Sequence, residues 1–536
     1  MKLPINSRRL LIPFVVICIA SLCLDASQAR YTDDSLIASK VQPAPEPPAI
    51  SQTERHAELA RRRSRVAQAI SNRAILILFS AEPRIYTNDV DYLFRQENNL
   101  YYLTNLKQPG ATLVLMPSNP QLPEILFLPR RNSAGEIWTG HMYSADEASR
   151  ISGIREIWAA GEFEPFMRSI ANGQPYRPRA EQVLLTDKPS SSPAANDSHG
   201  FRALFEAAAA NQAEIYLLVP RERESREFRN EQRFASEWAR SASAYSIRNA
   251  MPIFASLRLR KSPLELRLLQ HAVDITLEAH QRAWLAGLKS KWEYEVDAHI
   301  LFTYKLRNAD HWGFPSIVGC GPNATTLHYN ESQGPIKSGD LLLLDIGAEY
   351  EHYTADVTRT VPVTGKFSEA QAEIYQIVYD AQEAAAKVAK AGALVSDVDR
   401  AAVVAIKNGL LRLGLITDAS SNQHRLWFMH GTSHWLGMNV HDVGDYGTKL
   451  EPGMVFTVEP GIYVRLDALD YMPYGWKEAD WEAFRTKIKP AFEKYRGIGV
   501  RIEDDLVVTP EGVRWMTASL PRKMSEIEAF MERGRR

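Results

Sequence analysis

Short apolar runs alternate with helical patterns in the first part of the chain. Four runs have the length and composition of buried β-strands, at 74–79, 112–116, 125–128 and 215–219. Helical patterns lie between and after these runs, which is typical of an α/β unit. A stretch rich in serine and proline at 188–195 is expected to be a loop or insertion. We therefore predict an α/β N-terminal domain at residues 53–256.

A strong helix start separates this domain from the rest of the chain. Residues 262–265 place Ser at the N-cap, Pro at N1 and Glu at N3, a capping box ahead of a long amphipathic helix. Ser368 and Ser396 begin two further predicted helices. Strand-like runs occur between and after the helices, at 341–346, 455–458 and 505–509. The pattern predicts a mixed α+β domain at residues 257–536.

The first residues have the pattern of an export signal. Three cations, at Lys2, Arg8 and Arg9, precede an apolar run of about 15 residues, and small residues stand before a cleavage position after Ala29. A membrane-spanning helix needs about 20 apolar residues, so we expect a cleaved signal peptide at 1–29 and no stable membrane anchor. The protein is then periplasmic or secreted. A Pro-rich linker is expected at 30–52.

Composition and charge exclude several classes of protein. The 536 residues carry 63 Lys and Arg against 64 Asp and Glu, so the whole chain has no electrostatic attraction to nucleic acid. The Arg-rich run at 61–65 is expected to be the solvated face of a helix. Cys18 and Cys23 leave with the signal peptide. Only Cys320 remains, which excludes an intramolecular disulfide, and we expect it to be a small buried residue and not a nucleophile.

Histidines cluster between His424 and His441. His430 and His434 have the spacing of a helical zinc-binding pair, but Gly431 stands where that motif needs a general-base glutamate. The cluster alone is equally consistent with a polar packing network.

Two aspartates make a metal site the better interpretation. Asp345 ends the apolar run 341–344, where a buried carboxylate is costly unless it is paired or bound to a metal. A hairpin that turned at residues 350–351 would place Asp356 directly opposite Asp345. Two carboxylates that lie directly opposite each other on one face of a sheet are close enough to bind two metal ions between them.

Two glutamates complete a candidate ligand set. Glu459 lies in an apolar segment, and Glu503 lies in a segment that is bounded by a turn-forming glycine. With Asp345, Asp356 and one histidine they supply four negative charges and a neutral nitrogen, which suits two divalent cations. Carboxylate-rich ligation favours Mn²⁺ over Zn²⁺ or Co²⁺.

The segments around these residues resemble the metallopeptidase family that includes aminopeptidase P, prolidase and methionine aminopeptidase. The order Asp, Asp, His, Glu, Glu is complete, and the local sequences are specific. They lie at 345–347, 355–360, 430–444, 459–461 and 501–505. The resemblance covers residues 257–536 and implies a pita-bread catalytic domain that binds two metals. Residues 94–103 and 136–138 resemble the N-terminal domain of aminopeptidase P.

The resemblance implies a role for each matching residue. It makes Asp345, Asp356, His434, Glu459 and Glu503 the metal ligands, with Glu459 also the general base for a bridging hydroxide that attacks the Xaa-Pro bond. The matching residues that would bind substrate or assist catalysis are His328, His430, His441, Tyr463, Arg501, Asp89 and Trp138. His328 and His441 would bind substrate and stabilise the oxyanion, Asp89 would relay protons, and Trp138 would form an aromatic wall.

The resemblance implies an Xaa-Pro aminopeptidase whose substrate is a peptide with proline at its second position. Two alternatives stay open: a prolidase restricted to Xaa-Pro dipeptides, and a metal-free binding protein with the same fold. The sequence at 433–437 is more similar to aminopeptidase P, and all five ligands are present. We expect a homo-oligomer. The segment 466–496 is longer than the simplest members need, and we expect a surface helical insertion there that borders the cleft.

Overall fold

The computed structural model describes residues 37, 39–187, 198–219, 227–241 and 244–536. The predicted signal peptide at 1–29 and the predicted loop at 188–195 lie outside the described residues. The described chain divides into two compact units. We call residues 49–259 the N-terminal unit, and residues 260–536, together with the described residues up to Pro48, the C-terminal unit. Among the described residues no helix combines the length and apolar character needed to cross a membrane.

The N-terminal unit is built around one mixed sheet. Its strands are β1 (Ala74–Phe79), β2 (Ile85–Thr87), β3 (Val90–Asp91), β4 (Thr112–Leu115), β5 (Glu124–Leu128), β6 (Ile157–Ala159), β7 (Val183–Leu185), β8 (Ala213–Leu217) and β9 (Tyr245–Asn249). Seven strands form the sheet in the order β7-β6-β5-β4-β1-β8-β9, and β2 pairs only with β3. Strand β1 is parallel to β8 and antiparallel to β4. The four predicted strands are therefore confirmed, and the unit has the predicted α/β architecture.

Helices cover this sheet. They are α1 (Gln52–Ala69), α2 (Asn98–Thr104), α3 (Ser133–Thr139), α4 (Ala145–Ser152), α5 (Phe163–Ala171), α6 (Arg202–Ala209), α7 (Arg229–Ser241) and α8 (Met251–Leu259). Trp158 on β6 and Phe166 on α5 are fully buried in the core, in edge-to-face contact. Such aromatic pairs stabilise a core beyond the area that they bury.

The Arg-rich run of α1 is only partly solvated, with Arg61 and Ser64 exposed. Arg62 and Arg63 are buried, and their guanidinium groups donate to the carbonyls of Tyr102, Leu103 and Ser152. The prediction was wrong for Arg62 and Arg63 because an arginine can satisfy several carbonyls that end neighbouring helices. Both residues stabilise the packing of the N-terminal unit.

Six helices and eleven strands make up the C-terminal unit among the described residues. The helices are α9 (Pro263–Gly287), α10 (Glu293–Leu306), α11 (Glu369–Val388), α12 (Val395–Leu413), α13 (Glu478–Tyr495) and α14 (Met524–Arg535). The predicted capping box is present, since Ser262 accepts from Glu265 N, and the predicted helix start at Ser368 has a second one, in which Ser368 accepts from Gln371 N. Helix α12 begins one residue before the predicted start at Ser396.

The strands of this unit form small antiparallel sheets. They are β10 (His311–Trp312), β11 (Ile317–Cys320), β12 (Leu341–Ile346), β13 (Ala348–Tyr350), β14 (Tyr353–Thr354), β15 (Val357–Pro362), β16 (Val455–Val458), β17 (Gly461–Tyr463), β18 (Gly499–Arg501), β19 (Asp504–Thr509) and β20 (Gly512–Trp515). The sheets have the orders β10-β13-β14, β11-β12-β15, β16-β19-β20 and β17-β18. A bridge between Thr358 and Glu503 connects β15 to the segment between β18 and β19. The sheet that contains Asp345 is thereby joined to the segment that contains Glu503.

The end of the Pro-rich segment contacts the C-terminal unit. Gln42 N donates to Gln281 Oε1 at 2.8 Å, and Ala44 N donates to Glu278 Oε2 at the same distance. Both acceptors are side chains of α9. These residues of the predicted linker therefore pack on the long helix and do not form a loose arm.

Candidate metal centre

The hairpin that carries two of the predicted ligands turns one residue later than expected. In the β12–β15 ladder Asp345 lies opposite Thr358. The turn falls at Glu351 and His352, whose φ angles are +46° and +67°. Asp345 and Asp356 are therefore diagonal neighbours and not directly opposed, which corrects the predicted register. Because side chains alternate along a strand, both carboxylates still face the same side of the sheet.

His434 directs a lone pair at three carboxylates. Its Nδ1 lies 3.2 Å from the carbonyl of Trp435, which can only accept, so Nδ1 carries the proton. Nε2 lies 3.3 Å from Asp356 Oδ2, 3.4 Å from Glu459 Oε1 and 3.8 Å from Glu503 Oε1. Burial lowers the pKa of His434 to about 4, so the ring is neutral at neutral pH. Acceptor atoms that converge in this way bind a cation, and protons when no cation is bound.

The charge of the carboxylates supports the same conclusion. Asp345 Oδ1 and Asp356 Oδ1 are buried and have no hydrogen-bond partner in the described part of the chain. Burial, followed by the charges of Glu503 and Asp345, raises the pKa of Asp356 well above its usual range. Burial also raises the pKa of Glu459 to about 8, although the Arg501 guanidinium opposes this shift. These groups fit divalent cations, which remove the repulsion and use the unpaired oxygens.

Arg501 links the ligands to a supporting network. Its guanidinium donates to Asp345 Oδ2, to the hydroxyl of Tyr463 at 2.7 Å and to Thr358 Oγ1 at 3.2 Å. Thr358 Oγ1 donates in turn to Glu503 Oε2 at 2.7 Å. The network therefore fixes the orientation of two ligand carboxylates, that of Asp345 on β12 and that of Glu503 between β18 and β19.

His430 lies on the other side of Tyr463. Its Nε2 is 2.8 Å from the Tyr463 hydroxyl, and its Nδ1 is 2.8 Å from the Gly431 carbonyl and 3.5 Å from Glu459 Oε2. Burial and then the charge of Arg501 lower the pKa of His430 to about 3. A neutral ring with a protonated Nδ1 accepts the Tyr463 proton at Nε2. His430 thus connects the arginine network to the carboxylate of Glu459.

His441 and His328 lie at the exposed side of the centre. The ring of His441 stacks edge-on against His434, with centroids 4.5 Å apart. Burial, followed by the charge of His328, lowers the pKa of His441. Both residues are accessible to solvent. They can therefore contact a substrate that reaches the ligands.

Asp89 and Trp138 belong to the N-terminal unit. Asp89 is exposed in the turn between β2 and β3, and Trp138 on α3 has 87% of its surface exposed. Their predicted roles in proton relay and substrate binding stay predictions. The other ten predicted site residues lie in the C-terminal unit.

Sequence reasoning missed several residues that hold the ligands in place. Thr358 orients Glu503, Thr457 Oγ1 accepts from His434 N at 3.2 Å, and Asp505 Oδ2 accepts from Asp356 N at 3.1 Å. Thr358, Thr457 and Asp505 lie on β15, β16 and β19, whose side chains are almost all buried, so a polar residue within a buried strand was the available signal. Cys320 is buried, as predicted, and burial raises its pKa to about 12, which leaves it unreactive.

Two family models match the chain. The model of metallopeptidase family M24 matches residues 267–510, and the model of the aminopeptidase P N-terminal domain matches residues 59–177. All five predicted ligands, together with the motifs on which they were identified, fall within the first region.

Curated relatives and solved structures agree with these matches. The Xaa-Pro aminopeptidase of Escherichia coli is 33% identical over 489 residues, 89% of this chain and 98% of that protein. The Xaa-Pro aminopeptidase 3 of the mouse is 31% identical, over 87% of this chain and 83% of its own length. The structure of E. coli aminopeptidase P with the inhibitor Pro-Leu has a TM-score of 0.72 at 32% identity and covers 91% of this chain and 100% of its own. That of Pseudomonas aeruginosa aminopeptidase PepP has a TM-score of 0.73 at 29% identity, covering 91% and 99%.

Proposed function

The chain belongs to metallopeptidase family M24, with an aminopeptidase P N-terminal domain before its pita-bread catalytic domain, and from this we propose that it removes the N-terminal residue preceding proline in peptides. The observation that carries the proposal is the convergence of carboxylates on the unprotonated Nε2 of His434. Relatives named for Xaa-Pro cleavage, similar along almost their whole length, supply the substrate class.

We assign two divalent cations to the centre, with Mn²⁺ preferred over Zn²⁺ or Co²⁺ for a site rich in carboxylates. The residues that would hold them are Asp345, Asp356, His434, Glu459 and Glu503. When bound, the ions supply an activated water and polarise the carbonyl that precedes proline.

Glu459 has the position of a general base. Its two oxygens lie 3.4 Å from His434 Nε2 and 3.5 Å from His430 Nδ1, at the middle of the cluster. A proton lost by the attacking water can therefore be accepted there and passed to the leaving nitrogen of proline.

Other residues of the chain would bind the peptide. His328 and His441, both exposed beside the ligands, have the position to donate to the developing oxyanion. The Tyr463 hydroxyl, held by Arg501 and His430, forms a rigid side of the same site. From the family resemblance we assign Asp89 to proton relay and Trp138 to an aromatic wall. Export through residues 1–29 and homo-oligomerisation are further parts of the proposal.

Comparison of a tripeptide with a dipeptide tests the proposed function. Purified protein loaded with Mn²⁺ is expected to cleave Ala-Pro-Ala, and EDTA is expected to abolish this cleavage. Released alanine is measured by chromatography. Cleavage of Ala-Pro but not of Ala-Pro-Ala would favour a prolidase. If neither peptide were cleaved in a metal-dependent way, a binding protein would be favoured.

A further inference from the structure

Glu293 is a buried carboxylate outside the predicted ligand set, and it holds together the segment that carries His328. It is the first residue of α10, and none of its surface is exposed. Each of its two oxygens accepts two hydrogen bonds, which fills the roughly four acceptor positions of a carboxylate. The donors lie in the segment 320–334, which we call the His328 loop: Cys320 N at 2.7 Å and Asn323 Nδ2 at 3.0 Å to Oε1, and the Tyr329 hydroxyl at 2.8 Å and Gly334 N at 2.6 Å to Oε2.

The far end of the His328 loop can close on Glu293 because residue 334 is a glycine. A Cβ at Gly334 would collide with Asn323 Nδ2 and lie 2.8 Å from Glu293 Oε2. The near end is fixed by the sheet, since β11 ends at Cys320 and pairs with β12, which carries the predicted ligand Asp345. Glu293 therefore ties both ends of the loop to a strand of the metal centre.

The Tyr329 hydroxyl connects Glu293 to the middle of the loop. Besides donating to Glu293, it accepts from Asn323 Nδ2 at 3.1 Å and from Gln333 N at 3.2 Å. Burial, followed by the hydrogen bond to Glu293, raises the pKa of Tyr329, so the hydroxyl keeps its proton at neutral pH. A phenol with three partners has one favoured orientation, and the backbone beside it is fixed with it.

His328 is exposed, whereas the residues on either side of it pack inward. Tyr329 lies in one buried cluster with Tyr463, and Leu327 packs against this cluster. Tyr463 is in turn hydrogen-bonded to His430 at 2.8 Å. The apolar cluster that anchors His328 from both sides thus includes a residue of the metal centre.

Electrostatics also place His328 at the metal centre. Burial is the main cause of the lowered pKa values of His430 and His441, and the charge of His328 lowers both further. The ring of His441 contacts that of His434, with centroids 4.5 Å apart. His328 therefore lies within electrostatic reach of two histidines that flank the ligands.

We propose that Glu293 is a positioning residue, which holds His328 through the Tyr329 hydroxyl at the place where His328 meets the substrate. The inference rests on the proposed function, in which His328 donates to the developing oxyanion, and adds to it a buried residue outside the ligand set. A donor that is in place before the substrate arrives does not have to be ordered during the reaction.

A double-mutant cycle tests whether Tyr329 acts through His328. His328→Ala is expected to reduce kcat/KM for Ala-Pro-Ala by about 10²-fold, the range of a lost oxyanion donor. Tyr329→Phe keeps the ring in the cluster but removes the hydroxyl, and the displaced donor is expected to cost about tenfold in kcat/KM. Once His328 has been replaced by alanine, adding Tyr329→Phe should change kcat/KM by less than about twofold.

Tyr495→Phe is the matched control. Tyr495 is also buried, and its hydroxyl donates to Glu373 Oε2 at 2.6 Å. Thermal unfolding should show a similar loss of Tm for Tyr495→Phe and Tyr329→Phe, but Tyr495→Phe should keep full kcat/KM. Glu293→Gln, which replaces one acceptor oxygen by a donor, should lose at least as much activity as Tyr329→Phe. Tyr329→Phe decides the question even if Glu293→Gln does not fold.

An additive cycle, in which Tyr329→Phe costs the same with and without His328, overturns the inference. Unchanged kcat/KM in Tyr329→Phe overturns it as well. If the unaltered Mn²⁺-loaded protein cleaves no peptide, the same cycle is measured on the Kd of intact Ala-Pro-Ala by calorimetry. A non-additive cycle in binding then supports the role of Tyr329 and Glu293 while the proposed function fails, and the absence of both cleavage and binding contradicts both.

Discussion

The imidazole of His434 decides between two interpretations of the histidine cluster. In a polar packing network each buried acceptor would face a donor. Nε2 of His434 instead faces oxygens of Asp356, Glu459 and Glu503 at 3.3 to 3.8 Å. The hydrogen bond from Nδ1 to a backbone carbonyl keeps the proton away from this point, as in metal-binding histidines generally. The geometry therefore favours the metal site.

Replacement of Glu459 by glutamine tests the general base at the residue scale. Glu459→Gln keeps the size of the side chain but cannot accept the proton, so kcat for Ala-Pro-Ala is expected to fall by about 10²- to 10⁴-fold. Steady-state kinetics of Mn²⁺-loaded protein measure the effect, and metal analysis shows how much metal the variant retains. Glu451→Gln changes an exposed glutamate in the same unit and should keep full activity. A variant that holds both metals and retains kcat would contradict the assignment.

At the residue scale the sequence was sufficient to predict the charged ligands but not the residues that hold them in place. Asp345 was predictable because a carboxylate at the end of an apolar run needs a partner. Thr358 and Thr457 carry no charge, and their roles depend on which strands become neighbours. That information is absent from the local pattern.

At the scale of elements, helix starts were predictable and the hairpin turn was not. The capping boxes at Ser262 and Ser368 depend on residues within four positions of each other, so the local sequence contains the whole motif. The turn of the β12–β15 hairpin has positive φ at Glu351 and His352, where Gly or Asn is usual. Without that signal the predicted turn was one residue too early, which shifted the predicted partner of Asp345 by two residues.

Helix α11 offers a stability test that is separate from catalysis. Gln382 on this helix donates to the carbonyls of Val458 and Ile502, which precede two ligands, and to Asp504. Ser368, exposed at the helix start, lies more than three turns away. Ser368→Ala is expected to reduce the free energy of unfolding by about 1 kcal/mol and to leave kcat unchanged.

Urea denaturation followed by circular dichroism measures this loss. Ser368→Thr, which keeps a hydroxyl at the cap, is the matched control and should be less destabilised. An equal loss in both variants would mean that the hydrogen bond to Gln371 is not its cause.

At the scale of the whole molecule, metal removal is expected to make stability depend on pH. Burial raises the pKa of Asp356 and Glu503 well above the usual range and that of Glu459 to about 8. The folded metal-free protein then binds more protons than the unfolded chain, so its stability falls as the pH rises towards the folded pKa values. His430 and His434, with lowered pKa values of about 3 and about 4, have the opposite effect. Above the pKa of a free histidine, about 6.5, these two residues no longer make stability depend on pH.

Thermal unfolding between pH 6.5 and 8 measures this dependence. The protein in EDTA is expected to lose stability over this interval, whereas Mn²⁺-loaded protein is expected to have a higher Tm and a smaller loss. Glu459→Gln in EDTA lacks one titrating group and should lose less than the unaltered protein. Parallel curves with and without metal would contradict a carboxylate-rich cation site.

Domain-scale features were largely predictable because they depend on long stretches of sequence. The α/β and α+β architectures followed from the order of strands and helices, and the insertion followed from the length between Glu459 and Glu503. The surface cavity that Arg425 and Trp476 line together was not predictable, since these residues are about 50 positions apart and meet only in the folded chain.

The insertion begins and ends at adjacent points of one backbone ladder. Strands β17 and β18 pair Tyr463 with Gly499, and beyond them Val464 N bonds to Ile498 O and Gly497 N bonds to Val464 O. A segment whose two ends are already joined can be shortened to a tight turn, or exchanged for another, without moving Glu459 or Glu503. In evolutionary terms the segment is a module: its length can change by insertion and deletion while the metal ligands on either side of it are inherited intact.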